Sequence, residues 1–129
     1  MKKILLIVVF ALTLTACSPN KATLNVTVTD QGYDSSTYTV PTDAEVTVNF
    51  TNSGAEEHSF IILKQGEHVT PPFQTKDEAK IMWYLAAHPG ETKSGTFRAP
   101  TEPGEYDIIC PVPGDIELRI KATLMVKEK

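Results

Sequence analysis

The stretch from Tyr106 to Val126 places the strongest constraint on what this chain can fold into. It reads YDIICPVPGDIELRIKATLMV. We predict a strand that runs into Cys110, because aromatic and β-branched residues favour extended backbone. A loop containing Pro113 and Gly114 follows, and a second strand leaves through Ala122–Val126. The sequence therefore predicts two strands joined by a loop, with a cysteine where the first strand ends.

The rest of the chain also predicts strands. Leu24, Val26 and Val28 alternate with polar residues, and this period of two is typical of a half-buried strand. Including the two strands above, we count about seven strands at a spacing typical of a β-sandwich. Their expected ranges are 24–28, 37–40, 46–50, 58–63, 93–99, 106–110 and 123–127.

One segment predicts a helix instead. Thr75-Lys76-Asp77-Glu78 matches a capping box, in which Thr75 accepts from the backbone and Glu78 reaches back. We expect a short helix from there to about Ala87, with Ile81 and Leu85 packing inward. Pro89-Gly90 would end it.

The segment from Tyr106 to Val126 resembles the ligand loop of the cupredoxins, the blue-copper β-sandwich family. Its matching positions are Tyr106, Ile108, Cys110, Pro113, Gly114, Leu124 and Val126. A second match is His58, which follows the turn Asn52-Ser53-Gly54 where cupredoxins have their first histidine ligand; Ser59 stands where they commonly have asparagine. The resemblance implies an all-β, cupredoxin-like Greek-key β-sandwich over residues 23–129, with a short helical insertion, in a copper-binding electron-transfer protein.

Two positions depart from the family pattern. Asp115 stands where the second histidine is expected, and Ile120 stands where the axial methionine is usual. The resemblance then implies a metal-ligand set of His58, Cys110 and Asp115, with Ile120 as a non-ligating axial residue. Copper is the first metal to expect, since thiolate and imidazole suit it, and a Cys/His/Asp set would also suit zinc.

The departures leave an alternative open. Gly-Asp is a common turn dipeptide, so Asp115 could cap the loop or meet Arg119 across it. The site would then be weakened or empty, and the chain would be a metal-free β-sandwich lipoprotein that acts as a protein-interaction module. We expect His68 and His88 at the surface. The sequence has no nucleophile–base constellation and no phosphate-binding loop, so we do not expect an enzyme.

The N-terminus predicts export and a lipid anchor. Lys2 and Lys3 precede an apolar run too short to span a bilayer, as in a signal peptide. Leu14-Thr15-Ala16-Cys17 resembles a bacterial lipobox, which implies a signal peptide over residues 1–16, lipidation of Cys17 and a tether to residue 22. If Cys17 is lipidated, no second cysteine is left to form a disulfide with Cys110.

The charge of the chain bears on its partners. The formal net charge is −4, and removal of the signal peptide makes it more negative. This acidity argues against nucleic acid as a partner and suggests a protein partner with a basic surface. We expect the domain outside the cytoplasmic membrane, on the periplasmic or extracellular face, held to a membrane by its acyl chains.

Overall fold

The computed structural model describes residues 20–111 and 120–129 and contains two β-sheets. Nine strands lie in this part of the chain, together with a 3₁₀ helix at Thr75–Lys80. The strands are β1 (Lys21–Thr29), β2 (Gly32–Tyr33), β3 (Thr37–Pro41), β4 (Glu45–Asn52), β5 (His58–Leu63), β6 (Ile81–Ala87), β7 (Thr92–Arg98), β8 (Gly104–Ile109) and β9 (Lys121–Lys127). The predicted all-β sandwich is confirmed, with β2 and β6 in addition to the expected strands.

The two sheets enclose a single main core. One sheet has the strand order β2-β1-β4-β7, and the other has the order β3-β9-β8-β5-β6. Alternate residues of β1 and β4 point into the core, so the period of two seen in the sequence is the buried face of the first sheet. At the centre, Phe60 packs against Tyr33, Tyr38 and Phe50, with ring centroids 5.5, 5.6 and 6.0 Å apart.

Each sheet is mixed, because parallel pairs join strands that are distant in sequence. β1 runs parallel to β4, with Leu24 opposite Val48. β3 runs parallel to β9, with Val40 opposite Val126. The remaining pairs are antiparallel. The last strand of the chain therefore lies inside its sheet, between β3 and β8.

The helix predicted for residues 75–87 is wrong beyond Lys80. The 3₁₀ helix ends at Lys80, and Ile81–Ala87 forms β6, which pairs antiparallel with β5 at the sheet edge. The predicted capping pair is also wrong, since the carboxylate of Asp77 accepts from the backbone N–H of Gln74 at 3.1 Å. The apolar residues of this segment fit a helix or a strand equally well. Pairing with β5 gives the backbone N–H and C=O groups of a strand their hydrogen-bond partners, and the segment is a strand.

The pairing of β5 with β8 positions the candidate site. Ile61 lies opposite Ile109 and Ile62 opposite Ile108 in this antiparallel pair. The start of β5 and the end of β8 therefore lie at the same end of the sheet. His58 and Cys110, which are far apart in sequence, are brought together at that end.

Candidate metal centre

His58 and Cys110 form a buried contact between an imidazole and a sulfur. The side chains are each 2% exposed, and the His58 Nδ1 lies 3.5 Å from the Cys110 Sγ. His58 opens β5, and Cys110 directly follows β8, so each is fixed by the strand beside it. The structure thus brings together two of the three residues that the sequence suggested as metal ligands.

The other ring nitrogen of His58 contacts a carboxylate. Asp30, in the turn after β1, places its Oδ1 2.8 Å from the His58 Nε2. The same carboxylate accepts from the backbone N–H groups of Ala55 and Glu56 at 2.9 and 3.3 Å. The hydrogen bond from Ala55, followed by that from His58, lowers the pKa of Asp30. Asp30 is therefore an anionic acceptor aimed at Nε2, although its own side chain is 46% exposed.

Ser59 contributes donors to the sulfur. Its backbone N–H donates to the Cys110 Sγ at 3.2 Å, and its hydroxyl lies 3.7 Å from the same atom. Hydrogen bonds to a charged group favour the charged form, so these donors suit a thiolate. Ser59 thus makes a side-chain contact from the position where cupredoxins commonly carry asparagine.

Tyr33 links the two sheets beside this site. Its hydroxyl donates to the backbone carbonyl of Ser59 at 2.6 Å. Burial raises the pKa of the Tyr33 phenol well above its usual range, and the nearby Cys110 adds to the shift. The phenol therefore remains a neutral donor that holds Ser59 in place.

Ile120 directly precedes β9 and lies next to Cys110. Its side chain is 3% exposed, and its backbone carbonyl accepts from the Cys110 N–H at 3.0 Å. The two ends of the loop are thus tied together next to the sulfur. An isoleucine side chain has no donor atom, so Ile120 could not ligate a metal here.

Two predicted residues lie outside the part that the structure describes. Asp115, the suggested third ligand, and Cys17, the suggested lipidation site, both fall there. Within residues 20–111 and 120–129, no group of three histidine, cysteine, aspartate or glutamate side chains is arranged to hold a metal ion. The described geometry therefore covers His58 and Cys110, two of the three suggested ligands.

This pair fits a tetrahedral metal. A metal with bonds of about 2.3 Å to sulfur and about 2.0 Å to nitrogen separates two tetrahedral ligands by roughly 3.5 Å. The distance between Nδ1 and Sγ is 3.5 Å. The donor types also fit, since a soft thiolate with an imidazole suits copper, and zinc accepts the same pair.

His68 and His88 lie at the surface. Their side chains are 75% and 70% exposed, and they contact Asp107 and Glu57 respectively, each at 2.7 Å. His68 also lines a surface groove of ≈ 770 Å³, which neither His58 nor Cys110 lines. Of the three histidines, only His58 is buried next to the cysteine.

The sequence did not indicate two polar residues that support this end of the sandwich. Asp30 directly follows the first predicted strand, at a position typical of a turn, and its sequence context carries no other signal. Asn52 is fully buried, and its side-chain amide donates to the carbonyls of Glu56 and Ala87 at 2.7 and 2.9 Å. Its Oδ1 accepts from the Gly54 N–H at 2.8 Å. The sequence holds one signal for Asn52: it continues the inward-facing series Val46, Val48 and Phe50. A polar residue at an inward-facing strand position predicts a buried side chain that is hydrogen-bonded.

A buried cysteine and histidine at one end of a two-sheet β-sandwich are features of blue-copper domains. The family model of the cupredoxin-like domain matches residues 2–126, and the chain belongs to this family. No curated protein matches the chain.

Solved structures of auracyanins resemble this fold. The dithionite-reduced auracyanin of Roseiflexus castenholzii is 26% identical, with a TM-score of 0.67, over 81% of this chain and 96% of that one. Auracyanin A of Chloroflexus aurantiacus, described as a "blue" copper protein, is 26% identical with a TM-score of 0.65. That match covers 84% of this chain and all of auracyanin A. The chain is thus related to blue copper proteins over nearly their whole length.

The fold by itself does not distinguish a carrier from a domain of an enzyme. A multicopper oxidase also matches, with 17% identity and a TM-score of 0.55, over 84% of this chain and 43% of that one. At this identity the likeness concerns the fold alone.

Among the described residues, no helix is both long and apolar enough to cross a membrane.

Proposed function

We propose that this chain is an exported copper-binding cupredoxin of the electron-transfer type, with an altered metal site. The observation that carries the proposal is the 3.5 Å contact between His58 Nδ1 and Cys110 Sγ, with Nε2 already engaged by Asp30. Because Nε2 contacts Asp30, the imidazole of His58 presents Nδ1 to the Cys110 Sγ. Asp115 is the proposed third ligand, and zinc is the alternative metal.

The residues of the site have separate roles. His58 and Cys110 would hold the metal, and copper bound there would supply a one-electron redox couple. The Ser59 N–H stabilises negative charge on the sulfur. Because both ligands are buried and anchored by strands, the pocket resists rearrangement between oxidation states. The described residues thus supply binding and preorganisation, which a one-electron carrier requires.

The two substitutions act on the reduction potential in opposite directions. A carboxylate from Asp115 adds negative charge, which favours Cu(II) and lowers the potential. Ile120 offers no sulfur donor where the family usually has methionine, which would raise the potential of a bound copper. Measurement of the potential in Asp115→His and Ile120→Met variants would separate the two effects.

A second candidate is a metal-free sandwich that binds a protein partner. It is favoured by Ile120, whose apolar side chain is buried where the family places a ligand. The acidic character of the chain then suggests a partner with a basic surface.

A copper titration separates the two candidates. We would titrate reduced protein lacking residues 1–17, which keeps every described strand, with Cu(II), and record the visible spectrum and the melting temperature together. The first candidate predicts an intense thiolate-to-copper band that disappears on reduction and returns on oxidation. It also predicts stabilisation of about 2.7 kcal/mol at a free metal concentration one hundred times Kd.

Matched variants show whether the proposed ligands are responsible. Cys110→Ser and His58→Gln should abolish the band, whereas His68→Gln, at an exposed histidine, should leave it unchanged. A wild-type protein with neither band nor stabilisation, or a Cys110→Ser variant that binds copper as the wild type does, would contradict the first candidate. The former result would favour the metal-free module.

We also propose that the domain is lipid-anchored through Cys17 outside the cytoplasmic membrane. The proposal is supported by the segment Leu14–Cys17, which resembles a lipobox and stands at the C-terminal end of a short apolar run. The acyl chains would hold the protein at the membrane surface, where a redox or other protein partner with a basic surface could dock.

A further inference from the structure

Asp30 is an acidic residue in direct contact with His58, and the resemblance to cupredoxins gave it no role. Its Oδ1 lies 2.8 Å from the His58 Nε2. The backbone N–H groups of Ala55 and Glu56 fix the same carboxylate. The carboxylate is thus oriented by backbone groups, independently of its contact with the histidine.

This contact determines which nitrogen of His58 carries the proton. An ionised carboxylate only accepts hydrogen bonds, so Nε2 must be the donor. In the neutral ring the lone pair then lies on Nδ1. Nδ1 is the nitrogen that faces the Cys110 Sγ at 3.5 Å.

Gly54 shows how tightly the pair is enclosed. A methyl group on its Cα would lie 2.9 Å from the His58 Nε2 and would overlap the Asp30 Oδ1. Asn52 holds Gly54 there by accepting from its N–H at 2.8 Å. The loop after β4 therefore passes directly over the Asp30–His58 hydrogen bond and restricts both side chains.

We propose that Asp30 is a positioning residue that fixes His58 as the Nε2–H tautomer and so presents the Nδ1 lone pair to a metal shared with Cys110. The consequence for metal binding rests on the proposed function, but the tautomer itself does not. A carboxylate behind a histidine ligand also raises the basicity of the ligand, and loss of such a partner typically lowers metal affinity by about 10- to 100-fold.

The test is nitrogen NMR of metal-free protein lacking residues 1–17, at a pH where His58 is neutral. Long-range proton–nitrogen correlations show directly which ring nitrogen is protonated. We expect the Nε2–H tautomer in the wild type and a mixture, or the Nδ1–H tautomer, in Asp30→Ala. Asp30→Asn keeps an acceptor oxygen and should restore the wild-type tautomer.

Asp107→Ala is the matched control, because it removes an aspartate that pairs with the exposed His68 at 2.7 Å. It should leave the His58 signals unchanged. Cu(I) affinity, measured by competition with a chromophoric chelator, should fall about 10- to 100-fold in Asp30→Ala and much less in Asp107→Ala.

The wild-type spectrum decides the proposal even if Asp30→Ala does not fold. An Nδ1–H tautomer in the wild type, or an unchanged tautomer in folded Asp30→Ala, would overturn the role of Asp30. A wild type that has the Nε2–H tautomer and binds no copper would refute the proposed function while leaving the positioning role intact. The two failures are therefore distinguishable.

Discussion

At the scale of single residues, buried polar side chains organise the end of the sandwich that carries His58. Asn52 ties the loop after β4 to the end of β6 by bonding to Gly54, Glu56 and Ala87. Its amide is fully buried, and no protein side chain of different chemistry can replace all three bonds. Asn52 therefore fixes the loop that lies over Asp30 and His58.

Replacement of Asn52 by alanine should destabilise the domain. The change leaves the buried carbonyl of Ala87 and two part-buried backbone groups without this partner, and a buried group left unsatisfied costs about 1–3 kcal/mol. The measurement is urea unfolding of Asn52→Ala, with Asn49→Ala as control, because Asn49 forms its side-chain bonds with Asn25 and Ser94 at the exposed surface. Equal effects of the two variants would show that Asn52 has no special structural role.

The sequence could indicate His58 and Cys110 but not Asp30. The first two stand at the ends of strands within recognisable local patterns. Asp30 stands in a turn, where aspartate is common for local reasons, and its contact with His58 arises only when β1 and β5 are packed in opposite sheets. Contacts of this kind depend on the tertiary structure and leave no periodic signal.

At the scale of secondary-structure elements, β6 shows why one prediction failed. Ile81–Leu85 is apolar at every position, so neither a helical nor a strand period is resolved. The capping-box match then favoured a helix, although the aromatic and β-branched residues fit a strand better. Pairing with β5, with Ile62 opposite Trp83, settles the conformation.

The 3₁₀ helix before β6 depends on an ion pair that should respond to acid. Asp77 is buried and contacts Lys80 at 3.0 Å, and this contact lowers the pKa of Asp77 below its ordinary value of 3.8. A carboxyl group with a lowered folded-state pKa stabilises the fold above its unfolded pKa. That contribution is lost as the pH falls through the folded value.

We therefore expect the melting temperature to fall less between neutral and strongly acidic pH in Asp77→Asn than in the wild type. Thermal unfolding followed by circular dichroism at both pH values measures the difference. Glu78→Gln, which neutralises the exposed neighbouring carboxylate, is the control and should retain the wild-type slope. Parallel slopes for Asp77→Asn and the wild type would contradict this role.

At the scale of the whole molecule, the sandwich could be predicted. Strands with alternating apolar and polar residues and the loop after Cys110 both indicate the same fold class. The pairing of the strands could not be predicted in the same way. β1 pairs with β4 and β3 with β9, in parallel and across long stretches of chain, so local turn chemistry does not specify either register.

The proposed lipid anchor is testable on the intact protein. In a bacterial host that processes lipoproteins, the wild type should be recovered in the membrane fraction and labelled by a fatty-acid probe. Cys17→Ser should lose the label, because the acceptor thiol is gone. Cys110→Ser, which alters the other cysteine, should keep the label, and a wild type without any label would refute the anchor.

The position of β9 between β3 and β8 has a consequence for the timing of biosynthesis. A nascent chain that has not yet exposed Lys121–Lys127 lacks the strand that joins Thr37–Pro41 to Gly104–Ile109. The second sheet is then divided, and the tie between Cys110 and Ile120 cannot form. The second sheet is therefore complete only once Lys121–Lys127 has been synthesised and is free to pair with both neighbouring strands.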